Sequence, residues 1–227
     1  MLIEPRWSLA TLMLSIAWGN TSVAAGKPAP GTDYLRITME APGYGGRDAS
    51  DDRWLVYLEG YLDTGATARL ERVLDGQRVH RAVVYFDSPG GHVVEAMALG
   101  RMLRERRFAT GVGTRSPGGV LPRTGRCYSA CPIAYAGGVR RSLEPGSVLG
   151  VHRAENSVPL PDETAFQNVV SEQAVDYLAE MGISEELVLI MSKVPHDTIR
   201  ELTTDEAVRL GLVNDAEAVD EFLPQRR

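Results

Sequence analysis

The run Ala82-Val83-Val84-Tyr85-Phe86 passes without a break into Asp87-Ser88-Pro89-Gly90-Gly91 and then into a segment with helical periodicity, Val93 to about Arg106. A strand that is apolar on both faces needs cover above and below, as in a largely parallel sheet. The helix after the glycine turn supplies that cover on one side. Strand, tight turn and helix in this order restrict the chain to the α/β class, with the turn at the carboxyl edge of the sheet, where ligands bind. On the helix, Val93, Ala96, Met97, Gly100 and Leu103 share one face, and Arg101, Arg104 and Glu105 the other. Paired glycines let the backbone approach a substrate and aim an N–H into a cleft, although an ordinary βα turn has the same residues. A second Ser-Pro-Gly-Gly, Ser116 to Gly119, has no comparable strand before it and no amphipathic helix after it. It reads as loop.

A second change of composition falls at Gly125-Arg126-Cys127-Tyr128-Ser129-Ala130-Cys131, where a Gly/Pro/Arg-rich stretch gives way to small and apolar residues. The change predicts a turn feeding a buried helix with Ser129 at or near its first turn. A serine there is either a helix cap or a nucleophile whose oxyanion is favoured by the helix dipole and by the next backbone N–H. Further on, Ser147 to His152 predicts a strand that ends on a histidine, placed to act as a base or as a hydrogen-bonded core residue. Acyl transfer needs a nucleophile, a base within hydrogen-bond reach, an orienting group and two oxyanion donors. Ser129, His152 and the N–H groups of Gly91 and Ala130 are the candidates for nucleophile, base and donors.

Met1 to Ala25 has the apolar core and small-residue end of a secretory leader, with cleavage expected after Ala24 or Ala25, or retention as an anchor. Residues 26–52 then read as linker plus an N-terminal strand and loop, 53–216 as one domain, and 217–227 as a tail. Export and a count of two cysteines, four apart around Ser129, predict a Cys127–Cys131 disulfide, the alternative being two buried thiols. So short a loop makes local constraint a better reason for the bond than stability. The net charge of −6, with no basic stripe, argues against a nucleic-acid partner. Neither the four histidines nor the cysteines show zinc spacing, and no nucleotide fingerprint is present, so no metal or cofactor is expected.

Strands are further predicted at Tyr34–Met39, Trp54–Gly60 and Phe108–Gly113, and helices at Thr64–Leu74, Phe166–Met181, Ser184–Met191 and from about Leu202 to Gly211. Thr114 to Arg126 reads as a loop that forms a cleft wall or lies in solvent.

In this order, Asp87-Ser88-Pro89-Gly90-Gly91, Ser129 at a helix start, Gly150-Val151-His152, and Leu202 to Asn214 resemble the motifs of the Clp-type serine peptidases. The segment Cys127-Tyr128-Ser129-Ala130-Cys131 is similar to that of exported Clp-like proteins. The resemblance spans roughly Leu55 to Asp215. It implies the ClpP/crotonase fold, repeated β-β-α units with a mostly parallel sheet flanked by helices. It also implies a homo-oligomeric hydrolase of peptide or related acyl bonds that works without a cofactor. By position, Asp197 becomes the expected orienting acid, although ungapped alignment from Glu206-Ala207-Val208 puts Pro195 there; Asp87 stands where the family has asparagine. Two other functions share the fold: a non-catalytic binding or assembly module, and a crotonase-type acyl-CoA enzyme, which needs no serine nucleophile.

Overall fold

The computed structural model describes residues 34–44, 52–116, 121–154 and 163–215, without the side chains of 163–170. The leader, most of the linker, residues 117–119 of the second Ser-Pro-Gly-Gly, most of the 154–162 loop and the tail at 217–227 lie outside those residues.

Two sheets carry the architecture. The first has the order β1 (Arg36–Glu40), β2 (Trp54–Glu59), β3 (Ala82–Asp87) and β4 (Ala109–Val112). β1 runs antiparallel to β2, and the β2–β3 and β3–β4 pairs are parallel. The second sheet comprises β5 (Arg126–Tyr128), β6 (Val148–Val151) and β7 (Arg200–Glu201), with β5–β6 parallel and β6–β7 antiparallel. The helices are α1 (Ala66–Gly76), α2 (Val93–Glu105), α3 (Cys131–Tyr135), α4 (Glu163–Glu180), α5 (Glu186–Lys193) and α6 (Thr204–Arg209). The expected α/β class and mostly parallel pairing are what the structure has. The N-terminal strand expected at Tyr34–Met39 forms as β1, which bonds along β2, and Leu35 is buried in the main core.

Both faces of β3 are covered, as its composition requires. Val84 and Phe86 join Val56, Leu58, Leu70, Leu99 and Leu103 in the main core. Val83 and Tyr85 join Leu55 and Tyr57 on the other face, where the two tyrosine rings stack with centroids 5.5 Å apart. At about 25 cal/mol per Å² of apolar area, residues of this size contribute roughly 1.5–3 kcal/mol each when buried. Burial therefore sets which way each residue of β3 points, since a slip of one residue would exchange the two faces.

α2 and α3 meet backbone to backbone. A Cβ on Gly137 would lie 2.1 Å from the Gly100 carbonyl oxygen, and a Cβ on Gly100 would collide with the Tyr177 hydroxyl. That hydroxyl donates to the Ile133 carbonyl at 2.7 Å, fastening α4 to α3. The carbonyls at the end of α3 are met by two arginines. Arg104, expected on the solvent face of α2, donates to Ala136, Gly137 and Met181. Arg141 is 3 % exposed and donates to Gly138, Gly211 and Leu212. Burial pushes the Arg141 guanidinium below its ordinary range. Carbonyl dipoles at helix ends hold a cation without a carboxylate, because they carry the negative end of the helix dipole.

The α2–α3 contact yields a stability prediction. Gly137→Ala must force the two backbones apart and should destabilise the protein by about 1–3 kcal/mol. Urea denaturation measures it; a variant as stable as the parent would show that α2 and α3 do not meet at this closeness.

Candidate active site

The site lies where the two sheets join. Beyond β3, the Ser88 N–H donates to the Arg126 carbonyl at 2.7 Å, and the Ser88 carbonyl accepts from the Tyr128 N–H at 2.9 Å. These bonds extend β3 alongside β5. The Asp87 carboxylate accepts from the Arg126 N–H at 2.8 Å, so it too ties β3 to β5. Burial, with Glu59 nearby, pushes the Asp87 carboxyl above its ordinary value. The buried Ser88 hydroxyl accepts from the Gly90 N–H and closes the turn.

The turn then lies directly on the nucleophile candidate. Gly90 has φ +104°, and a Cβ there would be 2.5 Å from the Ser129 Cβ and 3.0 Å from the Ala130 nitrogen. Only glycine fits this position, on steric and on conformational grounds. At Gly91, a Cβ would sit 2.3 Å from the Leu62 carbonyl oxygen. Leu62 bonds on both sides of Gly91, accepting from His92 and donating to Gly90. Among the described residues, neither the Gly91 N–H nor the Ala130 N–H donates to another protein group. Both expected oxyanion donors are therefore uncommitted.

Ser129 stands near the first turn of α3, as its composition suggests, immediately before the Ala130 cap. It occupies the bend between β5 and α3, at φ +62°. A non-glycine residue in the left-handed region costs about 1–2 kcal/mol and persists only where its surroundings over-determine it. Its N–H donates to the Gly150 carbonyl at 3.0 Å, and Gly90 bounds it on the other side. The cysteines add a third restraint. Cys127, on β5, is bonded to Cys131, the first residue of α3, with Cα atoms 5.1 Å apart. The bridge thus spans strand, bend and helix with Ser129 between its ends, rather than one turn of helix.

β6 ends one residue before His152, whose Nε2 lies 2.7 Å from the Ser129 Oγ. With Nε2 accepting from the hydroxyl, the neutral ring carries its proton on Nδ1. That atom is buried and has no hydrogen-bond partner among the described residues. Burial, and secondarily the charge of His196, hold the His152 ring below its ordinary pKa; the Arg153 backbone acts in the opposite direction. Asp197 does not reach the ring. It is exposed on a turn in which the Thr198 N–H and hydroxyl both bond to the Pro195 carbonyl. The geometric reason is local: Val194 accepts from the Arg153 N–H, and the turn that follows carries residue 197 outward to solvent. The expected orienting acid is thus corrected to none among the described residues.

No group of three or more metal-ligating side chains occurs among the described residues. Composition had concealed two features of the site. β5 lies in a Gly/Arg-rich stretch that reads as loop, and β7, two residues long, leaves no periodic signal.

No protein-family model and no curated protein matches the chain. Solved structures do. A point mutant of ClpP1 from Listeria monocytogenes is 18% identical, with a TM-score of 0.53, over 70% of this chain and 88% of its own. A serine-to-alanine mutant of the 1510-N membrane-bound stomatin-specific protease is 14% identical over 73% of this chain and 81% of its own, with a TM-score of 0.47. The fold is ClpP-like.

Two outcomes follow from this geometry. Protein purified from an oxidising compartment should have an intact mass short of two hydrogens, and denaturing it without reductant should release no titratable thiol. Asp197→Asn should change neither kcat nor thermal midpoint, since its carboxylate touches nothing in the site. A loss of two orders of magnitude in kcat would mean that the 195–198 turn closes on His152 during turnover.

Proposed function

We propose that the protein is a serine hydrolase cleaving a peptide or related acyl bond through an acyl-enzyme on Ser129. The observation that carries the reading is the 2.7 Å contact between Ser129 Oγ and His152 Nε2, at a bend where the serine is half-buried and backbone-restrained. His152 takes the hydroxyl proton as the oxygen attacks a carbonyl carbon, and returns it to the leaving group. The oxyanion that develops is held by the Gly91 and Ala130 N–H groups, which cost no partner when they turn to it. Water, activated by the same imidazole, then releases the acyl group.

Among the described residues, His152 and Ser129 form a dyad. An orienting carboxylate would stabilise the imidazolium formed in the transition state. Among the described residues none does so, and burial holds the ring. That Nδ1 has no partner among the described residues is also an observation that favours a non-catalytic binding module, since a buried donor left unpaired costs about 1–3 kcal/mol. The bridged cysteines support export to an oxidising compartment. Peptide substrates and self-association belong to the same proposal.

A fluorophosphonate probe should label the mature protein, and Ser129→Ala should abolish labelling. Labelling that survives in the alanine variant would overturn the assignment, and an unlabelled parent would leave the binding module as the better reading.

The depressed His152 pKa fixes a sign. A histidine that resists protonation stays a competent base to lower pH, so the acidic limb of kcat/KM should fall below about 6.5, the ordinary imidazole value. His196→Gln removes a positive neighbour and should move that limb towards higher pH. A limb that stays in place, or moves to lower pH, would show that His196 does not act on the base.

A further inference from the structure

We infer that Tyr128 and Glu201 are positioning residues for the Ser129–His152 pair, joined in a clamp across β5, β6 and β7, the first two of which carry it. The inference rests on the reading of Ser129 as nucleophile.

Tyr128 is the last residue of β5 and immediately precedes Ser129. Strand alternation sends its neighbour Cys127 into the main core, to the bridge with Cys131, and Tyr128 to the opposite face. There the ring lies flat across β6: a Cβ on Gly150 would be 2.6 Å from the tyrosine Cδ1 and 2.9 Å from its Cε1. Gly150 is therefore the gap through which the ring passes to β7. At the far side, the Tyr128 hydroxyl donates to the carboxylate of Glu201, whose register partner is Gly150 itself. The tyrosine is 3 % exposed, although its partner's side chain reaches solvent.

Two of the strands tied by this contact each hold one member of the dyad, and β7 anchors the far end. β5 delivers Ser129, one residue beyond Tyr128. β6 delivers His152, two residues beyond Gly150, and the Gly150 carbonyl accepts the Ser129 N–H. Backbone pairing alone gives these strands little grip. β5 and β6 are in register over three residues and β6 and β7 over two. A side chain that crosses all three, with a charge-assisted hydrogen bond at its end, therefore has unusual leverage on the Oγ–Nε2 separation. Burial, then Glu201, pushes the Tyr128 hydroxyl up to about 12, so it remains a donor across the working pH range.

The experiment compares rates of fluorophosphonate labelling and thermal midpoints for the full chain and three variants. Tyr128→Phe keeps the ring and loses the donor, Glu201→Leu loses the acceptor, and Glu201→Gln keeps a carbonyl that can accept. Misplacement of reacting groups by about 1 Å can cost a hundredfold, and partial loosening should cost about tenfold. Tyr128→Phe and Glu201→Leu should therefore label about tenfold more slowly with thermal midpoints close to the parent's. Glu201→Gln should label within about twofold of the parent. A Tyr128→Phe protein that labels at the parental rate overturns the clamp while leaving Ser129 as nucleophile. Glu201→Gln as slow as Glu201→Leu overturns it too, because charge rather than the hydrogen bond would then matter. A parent that does not label overturns the nucleophile and the clamp together.

Discussion

The site depends on two backbone hydrogen bonds at Ser88. By donating to Arg126 and accepting from Tyr128, Ser88 continues β3 into a pairing with β5 and makes one surface of two sheets. Everything chemical lies within a few residues of that seam. Gly90 reaches the bend at Ser129 because Ser88 is anchored two residues earlier. His152 reaches the serine because β5 pairs with β6. Buried backbone groups must find partners, so the seam is held by the same requirement that holds a sheet interior.

A nucleophile in the left-handed region needs enforcement, and each element around Ser129 supplies some. The bridge from Cys127 to Cys131 closes a short ring that contains it. In the chain-entropy account so short a loop contributes about 2 kcal/mol, against about 4.7 kcal/mol for a loop of 100 residues. Its position, around the one bend that carries the candidate nucleophile, suits conformational control better than global stabilisation. The glycines at 90, 100 and 137 serve the same end at different distances. Gly90 admits the elbow, while Gly100 and Gly137 let α3 seat against α2 closely enough to hold the elbow from behind.

Asp197 shows how a positional expectation fails. It stands near the place that the motif order assigns to an acid, but its role depends on the path of a short turn. Pro195 and Thr198 set that path by a local pair of hydrogen bonds, and the carboxylate ends in solvent. The same limit hid Arg141. In the chain it is one of two adjacent arginines beside a turn, and only the convergence of carbonyls from the α3 and α6 ends makes it a buried ligand for them.

Local pattern alone determined the α/β class, the double-faced strand at Ala82–Phe86, the amphipathic α2 and the capped α6, because apolar periodicity, glycine turns and capping residues act over a few neighbours. It also singled out Ser129 and His152, each at the end of an apolar strand or the start of a small-residue run. Tertiary structure decided the rest. The left-handed bend at Ser129, the two- and three-residue strands β7 and β5, the Tyr128–Glu201 contact and the outward path of Asp197 all follow from segments up to 73 residues apart meeting in space. Such short strands bury too little by themselves to leave a period in the chain, and their pairing is imposed by the sheets they complete.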